Sequence, residues 1–261
     1  MNKFIPRFIA LVASLFLFAL NSSAQSAATK SELSDAEKAK IIEETVALGR
    51  AYMGGDSKLN AIDSVRFEGV LVYAGGQSGT VESIMKKPGY YQFISSIAGI
   101  RETSTLNPTS AWRKLENFQE PGAYTMSFYD VDELRYLEAT IADSLGFLKA
   151  PKTRNGRIEF VGKGKVRGKS AVILNYVYND RIWFRRYFDP ETGRVMFMQS
   201  SKGMVYTYEG DIEAGGVRFP KKVLVSYISQ YGESTMEISY SKAEVNLDVD
   251  LERFRVPQVG E

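Results

Sequence analysis

Between residues 157 and 240 the chain alternates short apolar runs with polar turns, and this alternation constrains the fold more than any other feature. One passage carries the pattern. Residues 171–178 are followed by Asn179-Asp180, then by 181–188, then by Asp189-Pro190-Glu191-Thr192-Gly193. Both apolar runs are rich in β-branched and aromatic residues, which suit a pleated surface. Two residues between them is the length of a tight hairpin. Asp189-Pro190 ahead of Gly193 is turn chemistry, because proline pre-sets φ and glycine accepts positive φ. Further strands are expected at 194–200, 204–209, 217–227 and 234–244, with turns at Lys202-Gly203, Gly215-Gly216 and Tyr231-Gly232. A sheet of this kind must bury one face. What it buries that face against decides the function.

The first half of the chain supplies helices as well as strands. Lys3 and Arg7 precede an apolar run over 8–20, and Ser22-Ser23-Ala24 offers small residues for cleavage. Residues 1–24 therefore read as a signal peptide cut near Ala24, too short in its apolar run for a membrane span. No cysteine follows that run to carry a lipid anchor. Residues 25–33 are a polar linker, and 34–261 are expected to form a single domain. Ser34-Asp35-Ala36-Glu37 is a capping-box pattern. The helix it opens runs to about Met53, with Ile42, Val46, Gly49 and Met53 near one face, and Gly54-Gly55 ends it. In the strand that follows, Val65, Phe67, Leu71 and Tyr73 share one face, with Arg66 and Glu68 opposite. More strands are expected at 80–85, 90–96, 102–106 and 110–115.

Residues 118–148 interrupt the β pattern. Asp130 caps a second helix with Glu133 three residues on, and Leu134, Leu137, Ile141, Leu145 and Leu148 form its apolar stripe. Since it separates two groups of strands, this helix is expected to lie across the sheet. Residues 120–129, broken by Pro121 and Gly122, read as a loop anchored by Tyr124 and Phe128, or as a flap. Residues 243–257 close the domain.

The composition removes most chemistry. The chain has no histidine and no cysteine. That excludes Ser-His-Asp arrangements, thiol nucleophiles, zinc-thiolate sites and disulfides. Without residues 1–24, which hold Lys3 and Arg7, 31 basic residues face 31 acidic ones. Such balance argues against a nucleic-acid partner. Gly162-Lys163-Gly164-Lys165 lacks the spacing of a phosphate loop and reads as strand-turn-strand. Asp130, Asp132 and Glu133 suit a first helical turn. Asp248, Asp250 and Glu252 suit a solvated tail, and their spacing is too sparse for calcium. No cofactor and no metal is expected. Arg185-Arg186 place one guanidinium on each face of a strand. The plain reading is a solvated edge or an internal ion pair; if one enters the interior, it needs a partner there, a carboxylate from the helix or an anionic head group.

Five separated pieces together resemble the outer-membrane lipoprotein-sorting superfamily, the LolA/LolB-like periplasmic carriers and their relatives. They are the capped helix into Gly54-Gly55 with Leu59, Ala61-Ile62, Ser64-Val65, Phe67 and Gly69; Gly162, Val166, Gly168 and Ala171; Tyr187-Phe188-Asp189-Pro190-Glu191-Thr192-Gly193; Gly216-Val217 with Phe219-Pro220-Lys221; and Asn246 with Phe254 and Pro257. The resemblance implies a mainly β fold with some α: a strongly curved antiparallel sheet, an incomplete β-barrel, with an N-terminal helix and a helical lid. It implies a periplasmic, non-enzymatic carrier or binding protein for lipid or lipoprotein acyl chains. Candidate lining residues are Val65, Phe67, Leu71, Tyr73, Tyr91, Phe93, Phe184 and Phe188, with Leu137, Ile141 and Leu145 from the lid. Two rivals stand beside it. One is an envelope module that binds a protein partner and fills its core with its own side chains. The other is a hydrolase that uses two carboxylates in a cleft.

Overall fold

The computed structural model of the chain describes residues 33–120, 122–229 and 232–257. The expected signal peptide and residues 25–32 lie outside the described residues. Helix α1 (Asp35–Met53) and the short α2 (Asp56–Asn60) lead into strands β1 (Ser64–Tyr73), β2 (Ser78–Lys86), β3 (Tyr90–Ile97), β4 (Ile100–Asn107), β5 (Ser110–Asn117) and β6 (Tyr124–Phe128). Helix α3 (Val131–Gly146) follows, and then β7 (Arg157–Val166), β8 (Lys169–Val177), β9 (Trp183–Phe188), β10 (Val195–Ser200), β11 (Val205–Ala214), β12 (Val217–Ser229) and β13 (Gly232–Val245). A 3₁₀ turn at Leu251–Phe254 is the last element among the described residues.

All thirteen strands belong to one sheet, in the order β6-β5-β4-β3-β2-β1-β13-β12-β11-β10-β9-β8-β7. Every neighbouring pair is antiparallel, and every pair but one joins consecutive strands. The exception is β1 with β13, which sets both ends of the meander side by side in the middle. The chain thus runs out to one edge at β6, crosses on α3, and returns from the other edge at β7. The sheet is strongly curved and stays open as a barrel.

Packing demands the curvature. One core cluster joins Val65 and Phe67 of β1, Leu106 of β4, Ala111 of β5, and Val217 and Phe219 of β12 to Ile141 and Leu145 of α3. In a flat sheet β5 and β12 would lie about 29 Å apart, at roughly 4.8 Å per strand. Both can reach one helix only if the sheet wraps around it. Bulges in β13 at Ser241, opposite Glu68 and Gly69, and in β7 between Phe160 and Gly162 help bend it. At Gly69 the backbone of β13 comes so near that a Cβ would stand 2.2 Å from the Ser239 carbonyl oxygen. At Gly79 it would stand 2.0 Å from that of Ser96. Glycine inside a strand marks such close approach.

Both long helices begin as the sequence predicts. Ser34 accepts from the Glu37 amide, and the Glu37 carboxylate accepts from the Ser34 amide. Asp130 and Glu133 repeat this at α3, at 2.8 and 3.2 Å. Gly54 caps α1. On the convex face the 3₁₀ turn presses Phe254, 0% exposed, against Ile84 and Val249. Asn107 donates to the Phe254 carbonyl at 2.8 Å, and Arg253 meets Glu82, which Arg66 also bonds.

Some local expectations fail. The connection after β8 runs from Tyr178 to Ile182 rather than through Asn179-Asp180 alone. The Asn179 side chain accepts from the amides of Arg181 and Ile182, which draws both into the turn. Gly162-Lys163-Gly164-Lys165 is no turn; it lies within β7, with Gly162 at the bulge and positive φ. Residues 124–128 are neither loop nor flap but the edge strand β6, and Tyr124 and Phe128 are exposed rather than anchoring. Leu148 lies past the end of α3, though it is buried.

Replacing Gly69 with Ala is expected to cost about 2 kcal/mol or more, because two backbones must part. That lowers the melting temperature by roughly 4–8 °C in a chain of this size. Gly75 has ordinary φ and open space where a side chain would go, with nothing within 4 Å of an added Cβ, so Gly75→Ala should change the thermal melt little.

Candidate ligand-binding concavity

The sequence-predicted lining residues do not form one surface; the structure places them in three groups. Phe184 and Phe188 sit in a cluster with Leu174 and Tyr176, closed over by Ile42 and Val46 of α1 and Ala139 of α3. They are 1% and 0% exposed. Val65 and Phe67, with Tyr91 beside them, meet Leu137, Ile141 and Leu145 of α3. Leu71, Tyr73 and Phe93 form a third group with Val81, Ile97, Ile238, Met236 and Tyr240. Among the described residues no helix residue belongs to that third cluster, and Tyr73, Phe93, Ile97, Met236 and Tyr240 keep partly exposed surface.

Two buried arginines fasten the helices. The inward guanidinium of the Arg185-Arg186 pair is Arg186, and its partner is Asp143 of α3. Both side chains are 8% exposed. The Tyr178 hydroxyl donates to Asp143 at 3.3 Å, and Arg186 lies 4.2 Å over the Tyr176 ring. Burial opposes the charge on Arg186 most strongly, but Asp143 together with Tyr176 and Tyr208 outweighs it and holds the guanidinium protonated. The second anchor is Arg50 of α1. It donates to the Phe147 carbonyl, to Asp56 and to Asn60, joining α1, α2 and the end of α3. Phe147 and Leu148 both take positive φ there, 49° and 67°. Buried non-glycine residues hold such conformations only where the surroundings fix them.

A third polar group lies within the concavity, and no motif in the sequence marks it. Glu102 of β4 is 7% exposed, and its carboxylate stands 3.9 Å from Arg113 of β5. Beside them Tyr129 donates to the Ser104 hydroxyl at 2.9 Å. Burial raises the Glu102 carboxyl above its ordinary value, against the charge of Arg113 and a hydrogen bond with Ser104. Burial also pushes Tyr73 up to about 12, with Glu102 and Tyr227 adding to it. Strand parity was the available signal: Leu106 points inward, so Ser104 and Glu102 do too.

Tyrosines line the space between these groups. Burial raises the phenols of Tyr91, Tyr206 and Tyr208 well above normal and that of Tyr240 to about 12. Each of the four still keeps partial exposure. The fold around them therefore buries them only in part.

No protein-family model matches the sequence, and no curated protein does. Solved structures do share the fold. A LolA superfamily protein from Nitrosomonas europaea superposes with a TM-score of 0.53 at 14% identity, covering 84% of this chain and 98% of that one. A protein domain described as outer membrane lipoprotein-sorting, from Vibrio parahaemolyticus, gives 0.51 at 10% identity, covering 84% and 96%. A DUF1329 family protein from Desulfovibrio piger gives 0.50 at 9%, covering 82% and 97%. The fold implied by the sequence resemblance is therefore the fold found.

The buried charges can be tested by substitution. Asp143→Asn strands a buried guanidinium and should cost about 3–5 kcal/mol in urea unfolding, whereas Asp143→Leu with Arg186→Met should stay far nearer the parent. For Glu102, the folded chain holds its proton more tightly than the unfolded chain, so the unfavourable term is present at neutral pH. It fades as pH falls from the raised folded value to the ordinary carboxylate value. The groups facing it are Arg113 and the neutral phenols of Tyr73, Tyr91 and Tyr129. Glu102→Gln should therefore remove one component of the stability gained on acidification, read as a flatter melting-temperature profile across that window.

Proposed function

We propose that this chain is a non-enzymatic binding protein or carrier for acyl-chain amphiphiles, and that the acyl chain lies on the concave face around Leu71, Tyr73 and Phe93. The observation that carries this reading is the third apolar cluster: Leu71, Val81 and Ile238 are buried at its centre, Tyr73, Phe93, Ile97, Met236 and Tyr240 around them stay partly exposed, and among the described residues no helix residue belongs to it. Apolar concave surface with a few convergent polar groups is the usual form of a small-ligand site. The absence of histidine and cysteine leaves few catalytic options, which fits binding rather than turnover. The fold is that of proteins named for lipoprotein sorting, and this supports a carrier role in general. The expected signal peptide fits work in the periplasm, where such amphiphiles must be shielded from water in transit.

One observation favours the partner-binding rival. The half of the concavity under α1 and α3 is filled, with Phe184, Phe188 and Tyr176 fully buried against helix side chains. An envelope module with a self-filled core would extend that packing throughout.

The test is a titration of residues 25–261 with a fluorescent fatty-acyl probe. Saturable binding at one site per chain is expected, displaced by phospholipid. Phe93→Asp, which puts a charge on the partly exposed face, should weaken binding at least tenfold while leaving the far-UV circular dichroism unchanged. Absence of binding across acyl, phospholipid and lipopeptide probes would favour the self-filled module.

A further inference from the structure

The Glu102–Arg113 pair is an unfinished interaction, unlike its neighbour at Asp143–Arg186. Its 3.9 Å separation exceeds the roughly 2.7–2.9 Å of a charge-assisted hydrogen bond. Arg113 Nη1 is sealed from solvent and has no hydrogen-bond partner. Arg186 Nη1 is also unpartnered, but its guanidinium touches Asp143 directly and stacks on Tyr176. A buried donor without an acceptor is costly and calls for an explanation.

The location supplies one. Across the concave face Phe93 pairs with Ser104, and Ser104 with Arg113. In the adjacent row Val81 pairs with Ser95, Ser95 with Glu102, and Glu102 with Leu115. The ion pair therefore begins one to two strands, about 5–10 Å, from the apolar cluster at Phe93 and Val81. Ser95, Ser104 and Tyr129 add hydroxyls along this border.

Resting on the acyl-binding reading, we infer that Glu102 and Arg113 are the polar end of the ligand site. They select a neutral amphiphile that carries a carbonyl acceptor and a hydroxyl or amide donor within a few bonds of its chain. The carbonyl accepts from Arg113 Nη1, and the donor bonds the Glu102 carboxylate. A carboxylate or phosphate head group would meet the Glu102 charge, and an ammonium would meet Arg113. A neutral group that offers both an acceptor and a donor completes both residues without an uncompensated charge.

Competition against the fluorescent acyl probe at neutral pH tests this with 1-decanoylglycerol, methyl decanoate and decanoate, which share one chain length. The glyceride should bind about tenfold or more tighter than decanoate, with the methyl ester between them. Replacing the pair with leucines, Glu102→Leu with Arg113→Leu, keeps the interior apolar and should erase the glyceride's advantage while the methyl ester still binds. Glu102→Gln keeps a polar partner for Arg113 and removes the charge, so decanoate should gain relative to the glyceride. Three equal affinities in the parent, or tightest binding of decanoate, would overturn the inference and leave the carrier reading standing. Failure of all three and of the probe would sink the carrier reading, and this inference with it.

Discussion

At Gly69 the strands β1 and β13 approach too closely for any side chain, and the wrap of the sheet depends on that contact. A Cβ there would stand 2.2 Å from the Ser239 carbonyl. The same pair joins the two ends of the meander, so this bend lies at the centre of a sheet with open edges at β6 and β7. With the bend, β5 and β12 reach the same helix, and one face of thirteen strands becomes an interior. Without it, a single curved layer would expose that face to water.

Helix α3 divides this interior. On one side, α1 and α3 close over β7–β10 and the packing is complete. On the other, the cluster around Leu71, Tyr73 and Phe93 is made of sheet residues, with no helix residue among those described. The division is held by charge as well as by apolar contact. Displacing α3 would expose Ile141 and Leu145, each contributing roughly 1.5–3 kcal/mol when buried. It would also strip Arg186 of Asp143, the kind of loss that a buried pair resists most strongly. A ligand that enters beside α3, over the third cluster, requires neither. The structure therefore favours filling the partly exposed region over lifting the helix.

Much of this was legible in the sequence because it is set locally. Ser34 with Glu37 and Asp130 with Glu133 announce their helices through neighbours three residues apart, and Asp189 with Gly193 announces its turn. The failures have physical causes. Asn179 closes a longer turn than its position suggests because its side chain takes two amides. The glycines at 162 and 164 belong to a bulged strand, and strand glycines and turn glycines look alike until the register is known. The apolar candidates fall in three separate clusters, because periodicity cannot say which residues of a strand face a helix will cover. Phe184 and Phe93 share the same signature and end in different surroundings. Glu102 was readable by parity with Leu106, whereas its partnership with Arg113 required the β4–β5 register.

In the proposed carrier role an acyl chain lies in the uncovered part of the concavity and not in the packed part. The most direct measurement is paramagnetic broadening of methyl and aromatic NMR signals by a fatty acid spin-labelled along its chain. Broadening is expected at Leu71, Val81, Phe93, Ile97 and Met236, with Phe184, Phe188 and Leu174 left sharp. Broadening centred on Phe184 and Phe188, or spread evenly over the exposed surface, would contradict it.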